Sequence, residues 1–201
     1  MCVDTLINLG VAVGTIAVAV LAIWGDRIND FLNPAKARIV LYNIDGRKEG
    51  GPEQGGTVIT YHLKVVNTTR WKTLQNCRVL LTDVLRKGAD GRFYADLCPV
   101  PRQFVWAPSE LAPIAVSFSK EHIFDFGALW FKDAQFRPAL YAQGGKFDAN
   151  IGADQILRYR LQIVADNFSR HAGQVFEVSF DGICSEEISE MKRHLVIREC
   201  S

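Results

Sequence analysis

The segment Thr57-Val-Ile-Thr-Tyr-His-Leu-Lys-Val-Val-Asn67 alternates with a period of two. Ile59, Tyr61, Leu63 and Val65 are apolar, and Thr60, His62 and Lys64 between them are polar. Successive side chains of a strand point to opposite faces, so this is a strand with one face in a core and one in water. Leu157 to Ala165 repeats the pattern. Leu157, Tyr159, Leu161 and Ile163 face one way, and Arg158, Arg160 and Gln162 the other. Phe176, Val178 and Phe180 alternate with Glu177 and Ser179. Residues 37–44 and 77–85 are shorter apolar runs, expected as strands buried on both sides. Turn chemistry separates these segments at Gly50-Gly51-Pro52 through Gly55-Gly56, Asp90-Gly91, Gly144-Gly145 and Asp181-Gly182. Prolines at 99, 101, 108 and 113 mark a loop, with edge strands at most around Gln103–Trp106. Short strands, regular turns and few helical stretches imply a mainly β fold, an antiparallel sandwich. One short helix is expected near the C-terminus. Ser185 caps it, Glu186 and Glu187 lie in its first turn, and Lys192 and Arg193 in its last, charges that complement the helix dipole. A final strand, His194 to Arg198, follows.

Ahead of this domain, Thr5 to Gly25 runs without a charge, bracketed by Asp4 and Asp26. At ~1.5 Å per residue, such a helix is about 31 Å long, close to the ~30 Å hydrocarbon core of a bilayer. The first nine residues hold no Lys or Arg, and the apolar run continues past Ala17-Val18-Ala19 to Trp24. Both features favour an uncleaved anchor over a signal peptide, which has a basic start and a shorter apolar core. The expected division is residues 1–33, a transmembrane helix with its juxtamembrane extension, and residues 34–201, the β domain. Ile28, Phe31 and Leu32 extend the helix beyond the apolar run, and Pro34 stops it. Trp24 and Arg27 are the expected residues of the membrane interface. Arg27, Lys36, Arg38, Arg47 and Lys48 follow the helix, while Asp4 stands before it. The positive-inside rule then puts the C-terminal domain on the cytoplasmic side of the cell inner membrane, in a single pass. Gly10 and Gly14 form a GxxxG pair, which lets a second membrane helix approach closely.

The chain carries 23 Lys and Arg against 22 Asp and Glu, a net charge of +1; leaving out Asp4 gives +2 for the rest. A nearly neutral domain argues against a nucleic-acid partner. The five cysteines, Cys2, Cys77, Cys98, Cys184 and Cys200, are odd in number and form no CxxC pair, which suits a reducing compartment. With the opposite topology a Cys77–Cys98 disulfide would be open. Asn67-Thr-Thr and Asn167-Phe-Ser match a glycosylation sequon that a cytoplasmic domain would not use. His62, His122, His171 and His194 are scattered, and His62 reads as a solvated residue on a polar face. Cys184, His194 and Cys200 lack the paired spacing of a structural zinc site. There is no Gly-x-Ser-x-Gly elbow, P-loop or His-Glu-x-x-His. No catalytic residue, metal or cofactor is therefore expected. Lys64, Arg78, Arg158 and Arg160 stand on outward faces. Converged, they would make an anion or partner patch; apart, they are a solvated charged face. Trp71, Trp106 and Trp130 are candidates for a binding surface or the core. An exposed patch within Phe124 to Trp130 would mark an interface.

Val65-Val-Asn67, Arg70-Trp71, Asn76-Cys-Arg-Val-Leu-Leu81, Leu161-Gln-Ile-Val-Ala-Asp-Asn167 and Phe176-Glu-Val-Ser-Phe180 resemble strands of immunoglobulin-like β-sandwich modules in bacterial proteins. The whole layout is similar to uncharacterised bacterial single-pass membrane proteins with a C-terminal immunoglobulin-like β-sandwich domain. That resemblance implies a fold and a location and carries over no catalytic residue. The expected function is a non-catalytic membrane-anchored interaction or assembly module, with the bilayer and a protein partner or a second copy as its contacts. The alternative is a sensor-effector whose domain binds a small anionic ligand and drives assembly of the membrane helices.

Overall fold

Alternation in the chain becomes alternation in burial. The computed structural model describes residues 3–50, 56–96, 100–108, 113–141, 148–168 and 173–200, with the backbone alone for 4–7, 26, 31 and 96. Cys2, Cys98, Pro99, His171 and the glycines at 51, 55, 144 and 145 lie outside the described residues. The elements are α1 (Val3–Leu32), β1 (Ala37–Glu49), β2 (Val58–Asn67), β3 (Leu74–Lys87), β4 (Phe93–Asp96), β5 (Arg102–Gln103), β6 (Val105–Trp106), β7 (Val116–Phe118), β8 (Glu121–Trp130), β9 (Gln135–Pro138), β10 (Gln155–Val164), β11 (Gln174–Phe180), α2 (Ile188–His194) and β12 (Leu195–Cys200). Ile59, Tyr61, Leu63 and Val65 of β2 are buried, as are Leu157, Tyr159, Leu161 and Ile163 of β10.

Two antiparallel sheets result. The first has the order β1-β2-β8-β6, with β9 also on β8; the second runs β12-β11-β10-β3-β4, with β5 and β7 also on β3. The long strands β3 and β8 each have their outer edge covered in pieces. Along β3, β7 pairs with Leu74 and Cys77, β5 with Leu80 and Leu81, and β4 from Val84 to Lys87. Short edge strands of this kind leave no long ladder open along β3 and β8. The two sheets share one core. The Phe126 ring of β8 meets Tyr159 of β10 at 5.8 Å and Phe176 of β11 at 6.3 Å. The proline-rich stretch is where the chain passes between sheets. β5 pairs with β3, β6 pairs with β8, and the Phe104 ring between them is buried against Phe124 and Phe126. Trp106 is buried, Trp71 is 82% exposed, and Phe124, Phe126 and Leu129 face the core.

Three expectations need correction. Residues 37–44 are not buried on both sides. They belong to an edge strand, β1, in which only Ile39 and Gly46 are buried. β3 alternates instead of being buried throughout, with Arg78 exposed between Cys77 and Val79. An edge position and an uncovered outer face leave water on one side of both strands. The helix α2 begins later than expected, with Glu187 and not Ser185 at its N-cap. Ser185 Oγ accepts the Glu187 N–H at 3.2 Å and donates to Glu190 at 2.6 Å, so it braces the turn before the helix. Lys192 and Arg193 do stand in the last turn, and Met191 is buried.

The helix α1 ends at Leu32, two residues before Pro34. Asn8–Gly25 is long and apolar enough to cross a membrane, and none of it is buried against the domain. The protein is thus mainly β, with antiparallel sheets and one N-terminal apolar helix.

Candidate functional site

His62 stands where the ladder is broken on both sides. Opposite it, β1 gains Tyr42 between Leu41 and Asn43, then gains further residues before Arg47; β8 gains Phe126 between Asp125 and Gly127. A bulge re-aims side chains and opens a flat sheet face, and bulges gather at binding sites. Two glycines permit these breaks. Gly46, at φ +81, would bring a Cβ to 2.4 Å from Ile59 Cγ2; at Gly127 a Cβ would lie 2.4 Å from Phe136 Cζ and 2.6 Å from Arg137 O. The result is a cleft of about 510 Å³ on the outer face of the five-stranded sheet. Asn43, His62 and Asp125 form a cross-strand row along its floor, and Tyr42, Arg47 and Glu49 line its side. His62 Nε2 lies 3.1 Å from Asp125 Oδ1, both side chains being largely buried. The Thr60 hydroxyl beside them donates to Arg47 O at 3.2 Å. A carboxylate therefore orients the imidazole, but the nearby hydroxyl is engaged with the backbone. That arrangement suits ligand positioning better than nucleophilic catalysis. The volume lies in the ordinary range for small-molecule sites, ~300–1,000 Å³.

The four cations weighed as one patch or a solvated charged face are divided between the two sheets. Lys64 is on β2, paired with Glu121 at 2.9 Å and 5.1 Å from the Tyr42 ring centroid. Arg78, Arg158 and Arg160 are on the other sheet. Arg160 lies 3.9 Å from Asp83, and Arg78 is exposed opposite Val164. Arg158 donates to Glu177 at 2.9 Å and lies 3.8 Å over the Phe93 ring. Arg198 of β12 donates to the same carboxylate. Glu177 is 3% exposed although its place in the alternation is polar. Burial alone would raise its carboxyl, but the hydrogen bonds and charges of Arg198 and Arg158 outweigh that and hold it below the usual carboxylate range.

A second cleft, about 760 Å³, lies where α1 meets the domain, with Arg27, Asp30, Gln75, Asp166 and Asn167 around it. Lys72 makes the joint. Its ammonium donates to Asp30 at 2.8 Å and to the carbonyls of Asn29 and Asn33, which close the last turn of α1. Asn29 O also accepts the Asn33 N–H at 2.9 Å, so the ammonium adds a second donor there, takes the Asn33 carbonyl beyond the helix end, and opposes the negative pole of the helix. Past the helix, Ala35 is fully buried and its N–H donates to Asn167 O at 2.9 Å. The two sequon asparagines are both buried and both bond the backbone. Asn67 donates to Lys72 O and accepts from the Thr69 N–H; Asn167 donates to Thr73 O and accepts from the Gln75 N–H. These structural roles explain both residues.

Trp24 and Arg27 are exposed on α1, with the guanidinium 5.8 Å from the indole centroid. Gly10 and Gly14 have open space where a Cβ would stand. His194 Nδ1 bonds Asp181 at 2.7 Å, and no group of three or more His, Cys, Asp or Glu able to hold a metal occurs among the described residues. Cys77, Cys184 and Cys200 are free, and burial pushes the Cys77 thiol up to about 12.

The sequence reading missed His62 with Asp125, and it missed Lys72. The bulges did leave a trace. The apolar spacing Phe124, Phe126, Leu129 breaks period two at a glycine, and Asn43-Ile-Asp-Gly46 breaks it in β1.

No protein-family model matches the chain, and no curated protein matches it. Among solved structures, the chain is similar to one described as the X-ray structure of Northeast Structural Genomics Consortium target SoR45. The match is 10% identical, covers 77% of this chain and 93% of that one, and has a TM-score of 0.25.

Proposed function

We propose that the chain is a non-catalytic, membrane-anchored interaction module, with an immunoglobulin-like sandwich presented at the cytoplasmic face of the inner membrane. The joint between α1 and the domain carries this reading. A passive tether needs only a flexible linker, but here Lys72 closes the last helical turn and Ala35 is buried one residue after Pro34. These contacts tie the domain to the helix end where a free linker would leave it loose, which suits an assembly module better than a leash. Crosslinking of the full chain in native membranes tests this. The expected result is a discrete adduct with a partner or a second copy. A chain that is monomeric in mild detergent and yields no adduct overturns it.

A second reading, a sensor-effector, has the bulged cleft in its favour. A small anionic ligand held by Arg47, His62 and Asn43 would act on β1, which leads directly back to the joint and to the Gly10–Gly14 face. Thermal-shift measurements on the full chain in detergent, with a panel of nucleotides, test it. A stabilising ligand whose effect disappears in His62→Ala supports the sensor; a panel without any shift removes it.

A further inference from the structure

We infer that the β2–β3 loop, through Arg70 and Trp71, is a second membrane contact that rests on the headgroup layer of an anionic leaflet. The inference depends on α1 spanning a bilayer. The loop is bound to the helix exit. Besides the contacts of Lys72, the Thr68 N–H donates to Lys36 O at 2.8 Å, and Thr69 Oγ1 accepts the Lys36 N–H at 2.9 Å. Asn29, which Lys72 reaches, is four residues beyond Gly25, or ~6 Å along the axis. The headgroup layer of one leaflet is about 5–7 Å thick, half the difference between ~40–45 Å and ~30 Å. The loop is thus held at headgroup depth by hydrogen bonds.

Its exposed residues fit that layer. Trp71 is 82% exposed, beside a protein whose other large aromatics are mostly in the core. An indole has an apolar body and one N–H donor, which suits a half-wet interface and is costly in water. Among the described carboxylates at this end, Asp30 is ion-paired with Lys72 and Glu121 with Lys64, while Asp166 keeps its charge and accepts the Asn76 amide. The cations at the same end, Lys36, Arg70 and Lys120, are exposed and form no ion pair among the described residues. Lys120 belongs here because its carbonyl accepts the Asn67 N–H. Free positive charge around an exposed indole matches a surface of lipid phosphates.

Acyl-brominated lipids quench tryptophan at the interface and provide the test. The full chain, Trp24→Phe and Trp71→Phe are reconstituted in phosphatidylcholine bilayers with and without phosphatidylglycerol. Parent emission should be quenched, and each variant should lose a separate part of that quenching. The Trp71 part should grow with phosphatidylglycerol, and Arg70→Gln should weaken docking about fivefold, the ~1 kcal/mol per basic residue expected at an anionic surface. Trp71 is exposed, so its replacement spares the fold, and emission from the buried Trp106 reports that the core is intact. If Trp71→Phe is quenched as fully as the parent while Trp24→Phe is not, the loop contact is overturned and the membrane span stands. If Trp24→Phe is also quenched as the parent, the span and the loop contact both fall.

Discussion

On the outer face of the seven-stranded sheet, Arg158, Glu177 and Arg198 stand in register across β10, β11 and β12; on the five-stranded sheet, Asn43, His62 and Asp125 stand in register across β1, β2 and β8. Both rows are polar and both cross three strands. The ladders joining β10, β11 and β12 have no register shift, and those joining β1, β2 and β8 do. In regular register opposite charges meet at cross-strand distance, and the row closes on itself around a buried carboxylate. Where bulges interrupt the ladders, His62 and Asp125 also meet, at 3.1 Å, but their row borders a cleft. Arg158 and Arg160, two of the cations weighed as an anion patch, are engaged with their own sheet, and the histidine that read as solvated lines the open site.

The strongest way to break this comparison is to remove the bulge. Gly127→Ala puts a methyl group against Phe136 and the backbone oxygen of Arg137. The oxygen belongs to a paired strand and cannot move far. The expected loss is about 3 kcal/mol, at the upper end of ordinary overpacking, read as a fall in Tm for the full chain in detergent. An unchanged Tm would mean that β8 does not depend on a glycine at its bulge.

Next comes the closed row. Glu177→Gln keeps the shape but removes the charge that both arginines bond. It should cost about 2 kcal/mol, the scale of hydrogen bonds to charged groups, and lower Tm by roughly 4–8 °C in a domain of this size. The pH dependence has a definite sign. The folded carboxyl is held below its unfolded value of about 4.3. Its contribution is therefore complete above that value and is lost as pH falls through the folded one. The Tm gap between parent and Glu177→Gln should be widest near neutral pH and close in acid. A constant gap would assign the effect to packing.

What could be read from the sequence divides along the same line. Period two in β2 and β10 was legible because burial follows one strand's own pattern, and the helix because 21 charge-free residues are a local property. Glu177 was not legible. It alternates with Phe176 and Val178 as any solvent-facing residue does, and its burial comes from arginines 19 residues before and 21 after it. His62 was hidden because a bulge belongs to a pair of strands, and only Gly46 and Gly127 hint at it in one dimension. Lys72 and Asn167 satisfy backbone groups of distant segments and Asn67 those of its own loop, roles that no linear motif records; the two asparagines read only as sequons.

A smaller effect sharpens the contrast at the open row. Asp125→Asn keeps a hydrogen-bonding oxygen beside His62 Nε2 and should cost about 1 kcal/mol, half the loss at Glu177. Chemical denaturation of the two variants side by side gives the ratio. Equal losses would make the cleft floor as closed as the opposite face and weaken it as a ligand site.

The least effect belongs to the cations with room to move. Lys64→Ala and Arg160→Ala remove ion pairs whose partners are both partly exposed, and the Arg160 pair is as long as 3.9 Å. Exposed pairs contribute ~0–1 kcal/mol, so Arg160→Ala should stay within about 0.5 kcal/mol of the parent. Lys64→Ala should lose slightly more, since its ammonium also lies against Tyr42. Double-mutant cycles with Glu177 decide whether Arg160 belongs to the closed row. It is two residues from Arg158 on the same face of β10, yet its own partner, Asp83, is on β3, across the strand from Glu177. Additive losses leave the row with the three members named. A coupling above about 0.5 kcal/mol would extend it to a fourth strand, making this sheet's outer surface one charge network from β12 to β3.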